Sequence, residues 1–183
     1  MRRMVSALRR HAGVAGAAFL ATSAPAWAQD IAKVKSLDIA VEGRIAQRCA
    51  LGTISTADFG ELTRPGLTAT ALVSLDCNVP FTMGIKAQHG ALAHAAMPQG
   101  QGPYAGSVPY VLSVEVPVRR PESELVSRIF EGRTLVGGQR MSSNGGIAID
   151  GMRLRLTLGS TGSEAGLLAG QYGDVIEVTI APN

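Results

Sequence analysis

Over much of the chain apolar and polar residues alternate one for one, the period of a strand with one buried face. ATALVSLDC places Ala71, Val73, Leu75 and Cys77 on one side and Ser74 and Asp76 on the other. RIAQRCAL puts Ile45, Cys49 and Leu51 on one face, interrupted by Gln47. PFTMGIKAQ predicts a third strand ending near Gln88, and VPYVLSVEVPV a fourth from Val108 to Val118. In GGIAIDGMRLRLTLG, Ile147 and Ile149 alternate up to Asp150-Gly151, a dipeptide favoured in type I′ turns. Leu154, Leu156 and Leu158 then alternate with Arg153, Arg155 and Thr157, so the pattern predicts a hairpin. In the closing GQYGDVIEVTIAPN, Ile176, Val178 and Ile180 share one face. Helical periods are nearly absent.

The stretches between these runs are rich in residues that break strands. Pro65-Gly66 predicts a turn between the two cysteine-bearing strands. HGALAHAAMPQGQGPYAGS, from His89 to Ser107, shows no period and is expected to be a long loop carrying His89 and His94 as solvated side chains. GSTGSEAG reads as a flexible loop and the polar RRPESELVSR as a connection, with Glu122 and Glu124 on it. Short strands punctuated by Gly and Pro indicate a β-sandwich. One strand-like run stands apart: Leu37, Ile39 and Val41 alternate with Ser36, Asp38, Ala40 and Glu42, and Gly43 separates them from Ile45. An apolar segment of this kind pairs with any open sheet edge. It belongs either to its own sheet or to another molecule.

The N-terminus decides the compartment. Met1 to Arg10 carries Arg2, Arg3, Arg9 and Arg10 and no acid, and an Ala-rich apolar run follows to about Ala21. SAPAWAQD then sets small residues at Ala26 and Ala28 around Trp27. This is the layout of a secretory signal peptide over residues 1–28, with cleavage expected between Ala28 and Gln29. The apolar run falls short of the roughly 20 residues a membrane span needs, so no anchor is expected in the mature chain. Of 17 Lys+Arg and 14 Asp+Glu, four arginines and no acid would leave with the signal; 13 basic against 14 acidic residues is a net charge of −1. That balance offers no electrostatic reason to expect nucleic acid as a partner. The remaining 155 of 183 residues suit one domain. In an oxidising compartment the two cysteines are expected to pair, Cys49 with Cys77, closing a loop of 28 positions. On the chain-entropy model such a closure stabilises by roughly 3–4 kcal/mol. A metal site needs more ligands than two cysteines, and no His lies near either one in sequence.

These features together resemble the spore coat protein U domain, found in secreted pilin-like subunits of chaperone–usher systems. The residues that carry the resemblance are the apolar N-terminal run, Cys49 near the end of the next strand, Asp58-Phe59-Gly60 shortly after it, VSLDC ending at Cys77, and GQYGDVIEVTI with Tyr172 and Asp174. It covers roughly Leu37 to Ile180. The segment from Gln88 to Ser107 has no counterpart, and the chain ends Ile180-Ala-Pro-Asn without a near-terminal Tyr, where Pro182 limits pairing. The resemblance implies an all-β, immunoglobulin-like sandwich that lacks its final strand. Residues 29–42 would be an N-terminal donor segment and residues 43–183 the sandwich. Leu37, Ile39 and Val41 would be donor residues for a neighbouring subunit, and Ile45, Ile176, Val178 and Ile180 would line the acceptor groove. It further implies a periplasmic chaperone and an outer-membrane usher as partners, then identical or related subunits, in a fibre or coat at the cell surface.

No cofactor is expected, and no enzyme. The chain has no G-x-S-x-G, H-E-x-x-H or P-loop, and only two His remain after the signal. Asp58-Phe59-Gly60 reads as a strand-end feature with a buried Phe, and Tyr172 and Asp174 as the start of the last strand. The alternative function is a self-complete secreted sandwich that binds a surface or carbohydrate ligand. Such sites often stack aromatics, and here the expected mature chain offers Phe59, Phe81, Phe130, Tyr104, Tyr110 and Tyr172 and no Trp.

Overall fold

The alternation becomes twelve strands and one helical turn in the computed structural model, which describes Ser36 and residues 38–54, 56–62, 64 and 66–183. In chain order they are β1 (Cys49–Leu51), β2 (Thr68–Val73), β3 (Leu75–Cys77), β4 (Phe81–Ala87), β5 (Ala91–His94), β6 (Ser107–Arg120), β7 (Glu122–Glu131), α1 (Gly132–Leu135), β8 (Gln139–Ser142), β9 (Ile147–Ala148), β10 (Met152–Leu158), β11 (Tyr172–Gly173) and β12 (Ile176–Pro182). The protein is all-β, and its strands pair antiparallel. Two units are distinguished, Met1–Glu42 and Gly43–Asn183. The expected signal peptide, the Ala28/Gln29 cleavage site and Leu37 lie outside the described residues. Of the first unit, Ser36 and residues 38–42 lie in no strand, and Ile39 and Val41 are 76% and 89% exposed.

The second unit contains a larger sheet ordered β11-β5-β6-β10-β2, with β7 and β9 also paired to β6. A three-stranded sheet runs β12-β4-β8, and β1 pairs with β3 alone. The strand with most neighbours, β6, buries Val108, Tyr110, Leu112, Val114, Val116 and Val118 at every second position. Those side chains share one core with Met83 and Ile85 of β4, Leu154 of β10 and Leu135 of α1. Each fully buried aliphatic of this kind contributes about 1.5–3 kcal/mol.

The structure corrects several of the expectations above. ATALVSLDC is two strands: β2 pairs with β10 up to Val73, and after Ser74 the chain continues as β3 against β1. The burial alternation runs unbroken through the change of partner, with Val73, Leu75 and Cys77 all inside. A second correction concerns Asp150-Gly151. β9 and β10 both run antiparallel to β6, so they point the same way, end to end along one flank of it, and form no hairpin. The reason lies at the crossing of β2 into β3. Gly151 adopts φ 75°, its N–H donates to Leu75 O at 3.3 Å, and a Cβ there would stand 2.6 Å from Val73 O. Only glycine permits so close a backbone approach. Pro117, with no N–H to give, falls between the residues that pair with β10 and those that pair with β9.

Third, the polar stretch after Val118 is a hairpin. β6 extends to Arg120, Pro121 turns the chain, and β7 returns in continuous register, with Glu122 opposite Arg120 and Glu131 opposite Val111. Only Val126 and Phe130 of β7 are buried. An edge strand with one face in water tolerates polar residues at most positions, which hid its period. Fourth, the segment from His89 to Ser107 contains β5 and is held by main-chain bonds, among them His94 N–H to Gly106 O at 2.8 Å, Ala95 N–H to Gln171 O at 2.8 Å and Ala105 N–H to Gly166 O at 2.9 Å. At the C-terminus Pro182 lies inside the β12–β4 register opposite Phe81, and Asn183 N–H closes the ladder on Pro80 O at 2.9 Å.

Candidate functional site

The core has two flanks, and they are finished differently. On one, β7 of the larger sheet reaches toward β8 of the smaller. Arg128 lies 5.9 Å over the Phe130 ring and donates from Nη1 to Arg140 O at 2.9 Å, while Val126, Phe130, Leu135 and Met141 are buried beneath. The other flank is bounded by β2 and β12, each the terminal strand of its sheet. Among the described residues no strand pairs with the outer edge of β12. Its inward side chains, Ile176, Val178 and Ile180, are only half-buried, yet they sit opposite Ala87, Ile85 and Met83 of β4, which are at most 1% exposed. Ala69 and Ala71 of β2 and Leu156 of β10 are likewise half-buried. The apolar side chains that border this seam are therefore only partly covered, while those behind them are sealed.

What spans the seam is short. β1 is three residues long and comes within 8 Å of β12 without hydrogen-bonding to it. The disulfide between Cys49 and Cys77 is present, and the two residues are direct partners in the β1–β3 register. Leu75 and Cys77 of β3 are buried, so the bond ties the half-exposed β1 to the core. Ile45 does not extend β1. It lies in no strand and is 88% exposed, so the residue expected to line the groove stands away from it. Gln47 interrupts the apolar face, and on the other face Arg48 is held outward by Asp76 at 2.7 Å. Asp58-Phe59-Gly60 follows β1 as an Asx turn: Gly60, at φ 64°, donates its N–H to Asp58 Oδ1 at 2.8 Å, and Phe59 packs half-buried on the core.

Tyr172 and Asp174 belong to the approach to β12. The Asp174 side chain is 2% exposed. Its Oδ1 accepts the N–H groups of His89 and Val175, both at 2.8 Å, and its Oδ2 accepts Gly90 N–H at 2.9 Å and the Tyr110 hydroxyl at 2.8 Å. One carboxylate thus joins the end of β4, the start of β5, β6 and β12. Tyr172 donates its hydroxyl to Leu168 O at 2.6 Å and meets the ring of His94 edge-on at 5.2 Å. His94, expected as a solvated loop residue, is half-buried. Its Nδ1 accepts Ala96 and Met97 N–H at 3.1 and 2.9 Å, which leaves Nε2 to donate to Ala169 O at 3.1 Å. His89 Nδ1 lies 3.4 Å from Asp174 Oδ1. Among the described residues no three His, Cys, Asp or Glu side chains converge as metal ligands. Tyr110, His89 and His94 were missed as participants. The one signal for Tyr110 was a polar-tipped aromatic at an inward position of an alternating strand.

Burial, and after it the bond to Asp174, pushes the Tyr110 phenol far above its ordinary value near 10. A raised folded value means that this group's contribution is intact below pH of about 10 and is lost as pH climbs toward the folded value. Melting temperature is expected to fall above that pH. Tyr110→Phe should lose about 1 kcal/mol at neutral pH and show a shallower alkaline decline. Melting curves of both proteins from neutral to alkaline pH test this, and parallel declines would count against it.

Comparison with protein-family models returns no match, and comparison with curated proteins returns none either.

Proposed function

We propose that the chain is a secreted structural subunit of a surface fibre or coat, an incomplete immunoglobulin-like β-sandwich completed by a strand from a neighbouring subunit. The observation that carries this reading is β12: a seven-residue strand bonded on one edge, with Ile176, Val178 and Ile180 half-open to solvent beside a sealed core. An incoming strand would satisfy that edge and drop alternate side chains onto those three residues, which is β-augmentation. Leu37, Ile39 and Val41 have the matching alternation, and Ile39 and Val41 are exposed and in no strand. The resemblance to the spore coat protein U domain points to the same assembly. It adds export by a Sec-type route and passage through the periplasm with a chaperone, then an usher. Because each subunit gives a strand at one site and takes one at another, the contact does not close on itself and a fibre results.

The test is a denaturing gel of the periplasmically expressed mature protein, unboiled, with and without residues 29–42. A ladder of multimers is expected that collapses on boiling and is missing from the truncation. A single monomer band from both proteins, with equal melting temperatures, would sink the donor-strand reading.

A further inference from the structure

We infer that the outer edge of β7 is a second interaction surface, on which two copies of this chain pair antiparallel about a two-fold axis at Val126. This does not depend on the fibre reading, since β7 belongs to the other sheet and the other flank from β12. Among the described residues β7 pairs with β6 alone, and its outer edge carries no partner along ten residues. Natural edge strands are guarded by Pro, by charges (Lys above all), by bulges or by brevity, and the charges that flank Val126 on its face of β7, Glu124 and Arg128, are of opposite sign. ESELVSRIFE has no Pro, no Lys and no Gly, and its register with β6 runs without a bulge. Its solvent face shows Leu125 and Ile129 at 57% and 70% exposure.

The sequence of β7 identifies the occupant. Placed antiparallel to itself with Val126 on the axis, β7 sets Arg128 opposite Glu124 of the second copy, twice by symmetry. Both side chains lie on the face of the strand that carries Val126 and Phe130. Arg128 uses Nη1 on Arg140 O and keeps its other N–H donors, and Glu124 accepts from Arg120 at one oxygen only. On the opposite face Leu125 meets Ser127 of the second copy and Ile129 meets its Ser123, while the two Leu125 side chains touch diagonally across the axis. No like charges face each other in this register. Shifting the axis to Ser127 instead puts Glu131 against Ser123 and leaves both arginines opposite Val126. The pairing is isologous, so it stops at two copies. In a fibre it would join neighbouring strands of subunits side by side.

The test uses two variants of the full mature chain, Glu124→Cys and Arg128→Cys, both at exposed positions. Directly opposite Cα atoms in an antiparallel pair are about 4.5–5.5 Å apart, within reach of a disulfide. Positions 124 and 128 of one strand are about 13 Å apart, as are two copies of either position across the axis. A mixed pair also keeps one native Arg128–Glu124 contact. After mild oxidation, boiling and a non-reducing denaturing gel, the mixture should give a band at twice the monomer mass, and each variant alone should not. Boiling removes any strand-exchange complex but leaves the new covalent bond. No dimer band in the mixture overturns the proposal. Equal dimer bands in the single variants overturn it too, because they require another register or random contact.

Discussion

Asp174→Ala is expected to lower the unfolding free energy by about 3–5 kcal/mol, the range for removing one member of a buried, charge-assisted network. The substitution leaves the N–H groups of His89, Gly90 and Val175 and the Tyr110 hydroxyl without their acceptor in a site only 2% exposed. Asp174→Asn keeps the shape and one acceptor oxygen but turns N–H donors toward N–H donors, so its loss should be smaller without vanishing. For a domain of this size each kcal/mol moves the melting temperature by roughly 2–4 °C, which puts the alanine variant about 10 °C below the parent. Hydrogen exchange should locate the damage at the amides of His89 and Gly90 and along β5. An alanine variant that melts with the parent would show that the carboxylate is not the joint described here.

Replacing both cysteines, Cys49→Ala with Cys77→Ala, should cost about 3–4 kcal/mol on the chain-entropy model. The structure adds a local expectation. β1 makes only three residue pairs, all with β3, and Leu51 is 39% exposed. Without the covalent tie β1 is held only by its pairing with β3 and by hydrogen bonds at its ends, among them Gly52 N–H to Ser74 O and Arg48 N–H to Asn78 Oδ1, so the open flank beside β12 should widen. Urea unfolding of the oxidised, reduced-alkylated and double-alanine proteins measures the first effect, and binding of a hydrophobic dye measures the second. Equal midpoints for all three would remove the disulfide from the account of stability.

The strands whose apolar residues alternate without interruption were legible because that pattern has only one explanation. β4, β6 and β12 lie where PFTMGIKA, VPYVLSVEVPV and VIEVTI place them, and Cys49 and Cys77 pair as expected. Pairing partners were less legible. Nothing in IAIDGM distinguishes a hairpin from two strands laid end to end on a third, because the deciding contact is between Gly151 and the backbone of Val73, some 80 residues away in the chain. β7 was hidden by its own polarity. Of the candidate site, the β12 side chains could be read from the sequence, but the Asp174 joint could not. Its acceptors were visible, while three of its four donors are main-chain N–H groups that no side-chain pattern reveals.

The pairing of β12 with β4 also sets an order of events. It joins positions about a hundred residues apart, as the bond from Thr82 to Asn183 shows. The β6–β7 hairpin, by contrast, closes over a single residue at Pro121. Local pairing forms early and distant pairing late. A chain emerging N-terminus first therefore has its hairpin and the larger sheet available while the second edge of β4 still waits for the last few residues to arrive. During that interval Met83 and Ile85 lack their cover, and the nascent chain is most vulnerable to aggregation at the end of its synthesis.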